Sequence, residues 1–446
     1  MSDPSSALRR WTYRAKELIS AGELRALADR SPELLLLATL TGAISGALVA
    51  LFDRAVVNGL LDHILQLSPW LLAFAPLCGL AFAAVSLWWL GRQASPSSAD
   101  LYLQAFHSSS KPIVLRELPA RMLAAISTLG FGGAMGLEGP SLYLGSSIGA
   151  LLQRRLPRLS RRLDRRVLLV AGAAAGVAAI FKAPATGAVF ALEVPFQDDL
   201  AHRMLLPALV GSATSYLSFV AINGTGPLFA VRGTPPFSFV DLLGALAIGV
   251  LAGLGARAFS ALMRLGKRLS ENNHPVRVIG AGLAIAALFG IGEALTGKPI
   301  VIGVGYSTID WALMANRAIW LLLVILLLRC LATAATVTGG GVGGLFIPLV
   351  VAGALLGRAV GAVVGDVDNT LFLVLGVAAF LGAGYRVPLA AVTFVAETTG
   401  RPGFVVPGLL AAVAAELMMG RWSVTTFQRA PLPPPGTTNT SPASQD

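Results

Sequence analysis

The stretch Gly132-Gly133-Ala134-Met135-Gly136-Leu137-Glu138-Gly139-Pro140 sets one carboxylate in a glycine-rich break between two apolar segments. In lipid an ionisable side chain costs at least a few kcal/mol and is tolerated where it faces protein or water and does work. The glycines expose backbone amides, and the chain beyond Pro140 is set to begin a helix, whose positive N-terminal end attracts anions. That is the chemistry of an anion site. Glu138 is its candidate gate: ionised, the carboxylate is itself an anion that fills the site, and once protonated it leaves. An unwound glycine-rich motif gives such a carboxylate little structural purpose.

The elements that must position this stretch are membrane helices. Of 446 residues, 55% are hydrophobic and only 13% charged, whereas soluble domains carry roughly a quarter charged residues. Apolar runs long enough to span a bilayer are plain at Leu35 to Phe52, Trp70 to Leu90, and Trp320 to Thr338, the last broken by Arg329. Further helical segments read as Val167 to Phe181, Pro184 to Val194, Met204 to Ile222, Phe239 to Met263, Val278 to Leu295, Leu345 to Val364, Leu371 to Ala383, Pro388 to Thr399 and Phe404 to Met419. Leu101 to Phe106, Leu118 to Gly132 and Pro140 to Leu152 are too short to cross alone; broken helices at membrane depth must face protein or a water-filled cavity.

The net charge of +11 is concentrated by position. Arg154, Arg155, Arg158, Arg161, Arg162, Arg165 and Arg166 crowd one loop, and Arg264, Lys267, Arg268 and Arg277 another, so both read as cytoplasmic. A basic face touching anionic headgroups accounts for the charge, and no nucleic-acid partner is expected. The polar, arginine-bearing start lacks the apolar core of a cleavable signal, and Leu8, Trp11, Ala15 and Leu18 fit a surface amphipathic helix. The tail from Ala430 is rich in Pro, Ser and Thr and reads as disordered, with both termini cytoplasmic. Cys78 and Cys330 lie in apolar segments as packing residues. His63, His107, His202 and His274 show no ligand spacing, so neither metal nor cofactor is expected.

The chain repeats itself. Gly172, Lys182, Pro184 and Glu193 recur as Gly376, Arg386, Pro388 and Glu397, each 204 positions on. Upstream, Gly136-Leu137-Glu138-Gly139-Pro140 matches Gly344-Leu345-Phe346-Ile347-Pro348. Two matches in the same order argue duplication: 1–31 as an N-terminal segment, 32–222 as a first membrane repeat, 223–238 as a Gly- and Pro-rich divider, 239–429 as a second repeat with a final pore helix, and 430–446 as a tail. If the repeats run oppositely through the membrane, the two broken ends converge near its midplane.

With these motifs in order, nearly all of the membrane region, roughly Leu35 to Gln428, resembles the CLC family of chloride channels and chloride/proton antiporters. The carriers are the Gly136 to Pro140 stretch, similar to the family's Gly-Arg/Lys-Glu-Gly-Pro; Gly344 to Pro348, similar to Gly-Ile/Tyr-Phe-x-Pro; and Ala183-Pro184-x-x-Gly187. The resemblance implies an all-α polytopic membrane protein, an inverted repeat of broken and tilted helices, homodimeric in the cell membrane with one anion pathway per subunit. It implies that Glu138 gates, and that the amides of Gly136, Leu137, Gly139, Leu345, Phe346 and Ile347 bind the anion. Arg121, where the family usually has Lys, would raise the local positive potential behind the pathway; snorkelling or capping of carbonyls is the equal alternative.

Departures qualify the mechanism. Antiporters of the family often carry an inward proton glutamate directly after the residue matching Glu193; here Val194 stands there and cannot carry a proton. The family's Gly-Ser-Gly-Ile-Pro motif is missing, with Ala99 or Ser98 at the serine, and no tyrosine follows Tyr385, leaving Thr425, or next Phe427, at the pore tyrosine. Each lost hydroxyl removes about a kcal/mol, so a roughly tenfold weaker central site is expected. Leu137 removes positive charge from the outer vestibule.

Glu193 and Glu397 sit at equivalent repeat positions and read as acceptors for helix-end amides rather than as a proton relay, and Asp100 reads as a helix N-cap. The expectation is passage of chloride or similar small monovalent anions, channel-like or weakly coupled to protons; the alternatives are a chloride/proton antiporter with a non-standard internal proton route, and a fluoride-selective exporter. No His-Glu-x-x-His, Gly-x-Ser-x-Gly or paired catalytic aspartates favour an intramembrane hydrolase, so no enzyme is expected.

Overall fold

Apolar length and Pro/Gly punctuation set the helices. The computed structural model describes residues 21–161, 163–226, 239–271, 275–314, 317–365 and 370–430, which are predominantly helical, with only isolated bridges between extended residues. The principal helices of the first half are α1 (Ala21–Val56), α2 (Pro69–Trp89), α3 (Ala99–His107), α4 (Leu118–Gly130), α5 (Glu138–Arg155), α6 (Arg165–Phe181), α7 (Pro184–Glu193) and α8 (Leu205–Asn223). Those of the second are α9 (Phe239–Ser270), α10 (Pro275–Thr296), α11 (Tyr306–Leu313), α12 (Ile319–Thr338), α13 (Phe346–Val364), α14 (Leu371–Tyr385), α15 (Pro388–Thr399) and α16 (Val405–Met419). Among the described residues eight helices are long and apolar enough to cross a membrane. The protein is a polytopic membrane protein. Trp88 and Trp89 stand exposed at the end of α2, as interfacial aromatics do.

The two helix pairs that carry the repeat are built alike. In lipid, helices associate through close backbone approach more than through hydrophobic burial, so small residues mark the seams. Gly145 and Gly149 of α5 lie against the backbone of Gly172 and Leu168 of α6; Gly353 and Gly357 of α13 lie against Gly376 and Phe372 of α14. A Cβ at any of the four glycines would overlap backbone atoms of the facing helix. α6 and α14 both end on a left-handed non-glycine residue, Lys182 (φ 53°) and Arg386 (φ 57°), each followed two positions later by the proline that opens the next helix.

Glu193 and Glu397 complete the symmetry. First-turn amides of a helix have no partner within it. Glu193 accepts from the amides of Leu389 (3.1 Å) and Ala390 (2.8 Å) at the start of α15, and Glu397 from those of Ala185 (2.9 Å) and Thr186 (2.7 Å) at the start of α7. Each repeat thus caps a helix of the other.

Three segments differ from the sequence expectation. α11 appears where no helix is read, because eight residues are too few for a periodic signal. Residues 420–430, expected as a final pore helix, are irregular: Gly420 adopts φ 63°, and the backbone bonds outward, Val424 N to Gly384 O (2.9 Å) and Arg429 N to Pro195 O (3.2 Å). Asp100 does not cap α3, whose N-cap is Ser98 with no side-chain bond; its carboxylate turns to Lys267 instead. The surface helix read at Leu8 to Leu18, most of the 223–238 divider, His274 and the tail beyond 430 lie outside the described residues.

Candidate functional site

The two broken motifs meet and clasp each other. Gly136 N donates to Gly344 O (2.9 Å) and Gly344 N to Gly136 O (2.7 Å). Just upstream, Ala134 N donates to Thr336 Oγ1 (3.2 Å) and Val342 N to Thr128 Oγ1 (3.1 Å). Thr128 and Thr336 close their own helices, α4 and α12, so each helix end supplies a hydroxyl to the break that follows the other. From this four-bond clasp α5 and α13 start with their unpaired first-turn amides side by side, a concentration of positive dipole in one buried place.

Glu138, the first residue of α5, turns its side chain into that place. It is 3% exposed, and Oε1 accepts the Phe346 amide at 2.6 Å. The Ile347 amide and the amide of Glu138 itself face the same carboxylate. Oε2 is buried without a hydrogen-bond partner. The carboxylate therefore occupies a cradle of amides, its own and those of Phe346 and Ile347 from the opposite repeat. Phe346, at the equivalent position 208 residues on, buries its ring against Phe181 (4.4 Å between centroids), Phe394 (4.9 Å) and Phe190 (5.5 Å).

The other expected amides divide. Phe346 and Ile347 face the carboxylate, and Gly139 lies so close to Gly343 and Gly344 that a Cβ there would crowd their backbone. Gly136, expected to offer its amide to an anion, spends it on Gly344 O because the two breaks pair as a short antiparallel bridge. The Leu345 amide lies beside the hydroxyl of Tyr385. Leu137 is buried beside Glu138.

Behind the clasp opens a cavity of about 790 Å³, whose walls include Gly344, Leu345, Ser98, Ala99, Thr425, Phe427 and Tyr385. Ser98 is buried at the head of α3, and the Thr425 hydroxyl pairs with Ser423 Oγ at 3.0 Å. The far wall is basic, with Arg264, Lys267 and Arg268 from the end of α9. Lys267 Nζ lies 2.7 Å from Asp100 Oδ2 and 2.9 Å from Val424 O, while Asp100 Oδ1 accepts Thr426 N at 3.2 Å. This pair ties α3, α9 and the irregular 420–430 segment into one wall. The Arg264 guanidinium stacks 3.8 Å above the Trp422 ring.

Arg121 is buried behind the loop that carries Ser98. It donates to the carbonyls of Ser95 and Ser97, pairs with Glu117 at 2.9 Å, and stands 5.1 Å from the Tyr143 ring centroid. Carbonyl capping is thus among its contacts, and Glu117 offsets part of its charge. Val194 is fully buried in hydrocarbon. Among the described residues no cluster of His, Cys, Asp and Glu could hold a metal ion.

Sequence reasoning passed over Tyr385 and the Asp100–Lys267 pair. The repeat held a signal for the first: Tyr385 stands 204 positions after Phe181, at the same helix end. The second joins residues 167 apart on elements with no shared motif, and nothing in the sequence announced it.

Comparison with known proteins converges on one family. The family model described as "voltage gated chloride channel" matches residues 79–420. The H(+)/Cl(-) exchange transporter ClcA of Citrobacter koseri is 26% identical over 410 residues, 87% of this chain and 86% of that protein; ClcA of Salmonella typhimurium is 25% identical over the same spans. Among solved structures, a CLC-type fluoride/proton antiporter aligns with a TM-score of 0.76 at 24% identity, covering 93% of this chain and 100% of its own. A slow cyanobacterial Cl−/H+ antiporter aligns with a TM-score of 0.76 at 23% identity, covering 87% and 94%.

Proposed function

Because this chain belongs to the voltage-gated chloride channel (CLC) family, we propose that it carries chloride or similar small monovalent anions through a pathway gated by Glu138. The observation that supports this most is occupancy: a carboxylate fills a buried cradle of backbone amides that would otherwise face one another without an acceptor. Amides bind through dipoles rather than a fixed cation, so an anion can be held without being trapped, as conduction requires. The unpartnered Oε2 is a place where a proton can add without breaking a hydrogen bond. Protonation removes the charge that holds the side chain against Phe346 and Ile347, and an anion takes its place.

From the cradle an ion passes Leu345 into the cavity, past Ser98, Ala99 and Thr425, and out by the basic wall. Arg264, Lys267 and Arg268 raise anion concentration at that mouth, and by the positive-inside rule the mouth and both termini are cytoplasmic in a cell membrane. Arg121 adds positive potential behind the Ser98 loop while holding it in place. The family resemblance favours a homodimer with one such pathway in each subunit.

Val194 puts hydrocarbon where an inward proton acceptor is expected, which favours a channel-like or weakly proton-coupled carrier. Proton exchange is the second reading, supported by Asp100, a carboxylate that lines the cavity, and by the exchange activity named for the relatives. Fluoride is a further candidate substrate, given the fluoride/proton antiporter among the similar structures. Purified protein in liposomes should dissipate a chloride gradient. Uphill proton movement driven by that gradient would sink the uncoupled reading, and a flux series over fluoride, chloride, bromide and nitrate ranks the substrates.

A further inference from the structure

The geometry points to the Tyr385 hydroxyl as an anion ligand of this pathway, acting together with the Leu345 amide; the inference rests on the anion-transport reading above. Tyr385 ends α14, and its helix end is moored to the irregular pore segment by Val424 N on Gly384 O (2.9 Å) and Gln428 Nε2 on Tyr385 O (2.7 Å). The ring is 2% exposed and packs edge-on to Phe190 at 5.4 Å, yet the residue lines the 790 Å³ cavity. The hydroxyl lies beside the amide of Leu345, which shares the cavity wall and comes one residue before the cradle that holds Glu138, and it is within electrostatic reach of both Glu138 and Asp100. It therefore stands between the gate and the cavity.

A phenol has one donor proton and two lone pairs. With the Leu345 amide beside its oxygen, the hydroxyl still has its proton to give to an anion that the amide also faces. An anion arriving beside Leu345 meets that proton directly. The other residues at this level supply less: Ala99 has no donor, and the Thr425 hydroxyl is shared with Ser423. Packing alone does not call for the hydroxyl, because Phe181 holds the equivalent position of the first repeat and stacks on Phe346 without one. The tyrosine hydroxyl that the final segment lacks is thus supplied from α14.

The test is Tyr385→Phe in full-length protein, with Glu138→Gln as background to clear the cradle, read by isothermal titration with chloride and fluoride. The phenylalanine keeps the ring contacts. Loss of one buried donor should weaken chloride binding about five- to tenfold, and fluoride binding more, since the smaller anion depends most on hydrogen bonds. A hydroxyl that merely anchored Leu345 predicts the opposite, because its removal frees an amide to face the anion. Equal or tighter chloride binding in Tyr385→Phe would therefore overturn the inference while leaving the anion-transport reading intact. Absence of any anion binding with Tyr385 in place would overturn both.

Discussion

The carboxylate of Glu138 lies 2.6 Å from the amide nitrogen of Phe346, the residue that takes its place 208 positions later. One repeat supplies a titratable anion, and the other supplies the amides that receive it.

The sign of the pH response follows from this contact. On the proposed gating role, ionised Glu138 competes with the transported anion and protonated Glu138 does not. Flux should rise as the outside is acidified, on the order of tenfold for each 1.4 kcal/mol by which the plug's hold on the cradle weakens. Glu138→Gln and Glu138→Ala should both give high flux that is flat with pH. Liposome chloride efflux between neutral and acid pH checks this, and a pH response retained in both variants would remove Glu138 from the gate.

The clasp predicts a matched pair of stability losses. Thr128 Oγ1 donates to Ala124 O while accepting Val342 N, and Thr336 Oγ1 donates to Ala332 O while accepting Ala134 N. Thr128→Val and Thr336→Val each leave one buried amide unsatisfied, a cost of about 1–3 kcal/mol. Thermal melting in detergent should show comparable drops for the two, and the serine variants, which keep the hydroxyl, should recover most of the loss.

Glu193 and Glu397 each hold two amides of the opposite repeat, so their removal should unsettle the fold rather than the proton chemistry. Glu193→Gln keeps the shape but turns an acceptor into a donor facing Leu389 or Ala390, and should destabilise by about 1–3 kcal/mol. The pH profile of flux per folded protein should stay that of the unaltered chain. A flattened profile at unchanged melting temperature would instead make Glu193 a proton site.

What the sequence could reveal was set by periodicity and by local motif. The glycine breaks and the 204-residue recurrence lie in contiguous residues, so the two breaks and the helix pairs α6–α7 and α14–α15 are legible in the sequence, while the pairing of the breaks is not. Ser98, Ala99, Leu345 and Thr425 come to one cavity, but their level in it depends on how α3 and the 420–430 segment approach, which no local pattern encodes. The irregular run at 420–430 had a signal that was passed over: Ser423, Val424, Thr425 and Thr426 are β-branched or hydroxylated residues after a glycine, a poor continuation for a helix. The amide of Gly136 was misassigned because a glycine break shows that amides are exposed without showing which of them pair with another break.

The Asp100–Lys267 pair yields the last prediction, one that turns on charge rather than shape. The two side chains line the cavity behind the clasp, the proposed route to the basic mouth, and as a pair they would present no net charge to a passing anion. Lys267→Met leaves the Asp100 carboxylate facing the pathway, with only the Ser97 hydroxyl and the Thr426 amide to satisfy it. A negative charge in a confined, partly desolvated mouth repels the substrate, and chloride flux should fall about tenfold, the effect of 1.4 kcal/mol added to the barrier. Asp100→Asn leaves the lysine positive and should instead slow release, giving tighter apparent chloride affinity and lower maximal flux. In the double variant the repulsion is gone, and flux should return towards that of the unaltered protein. Failure of the double variant to recover, with its melting temperature unchanged, would mean that the pair matters for bracing α3 against α9 and not for the field the anion meets.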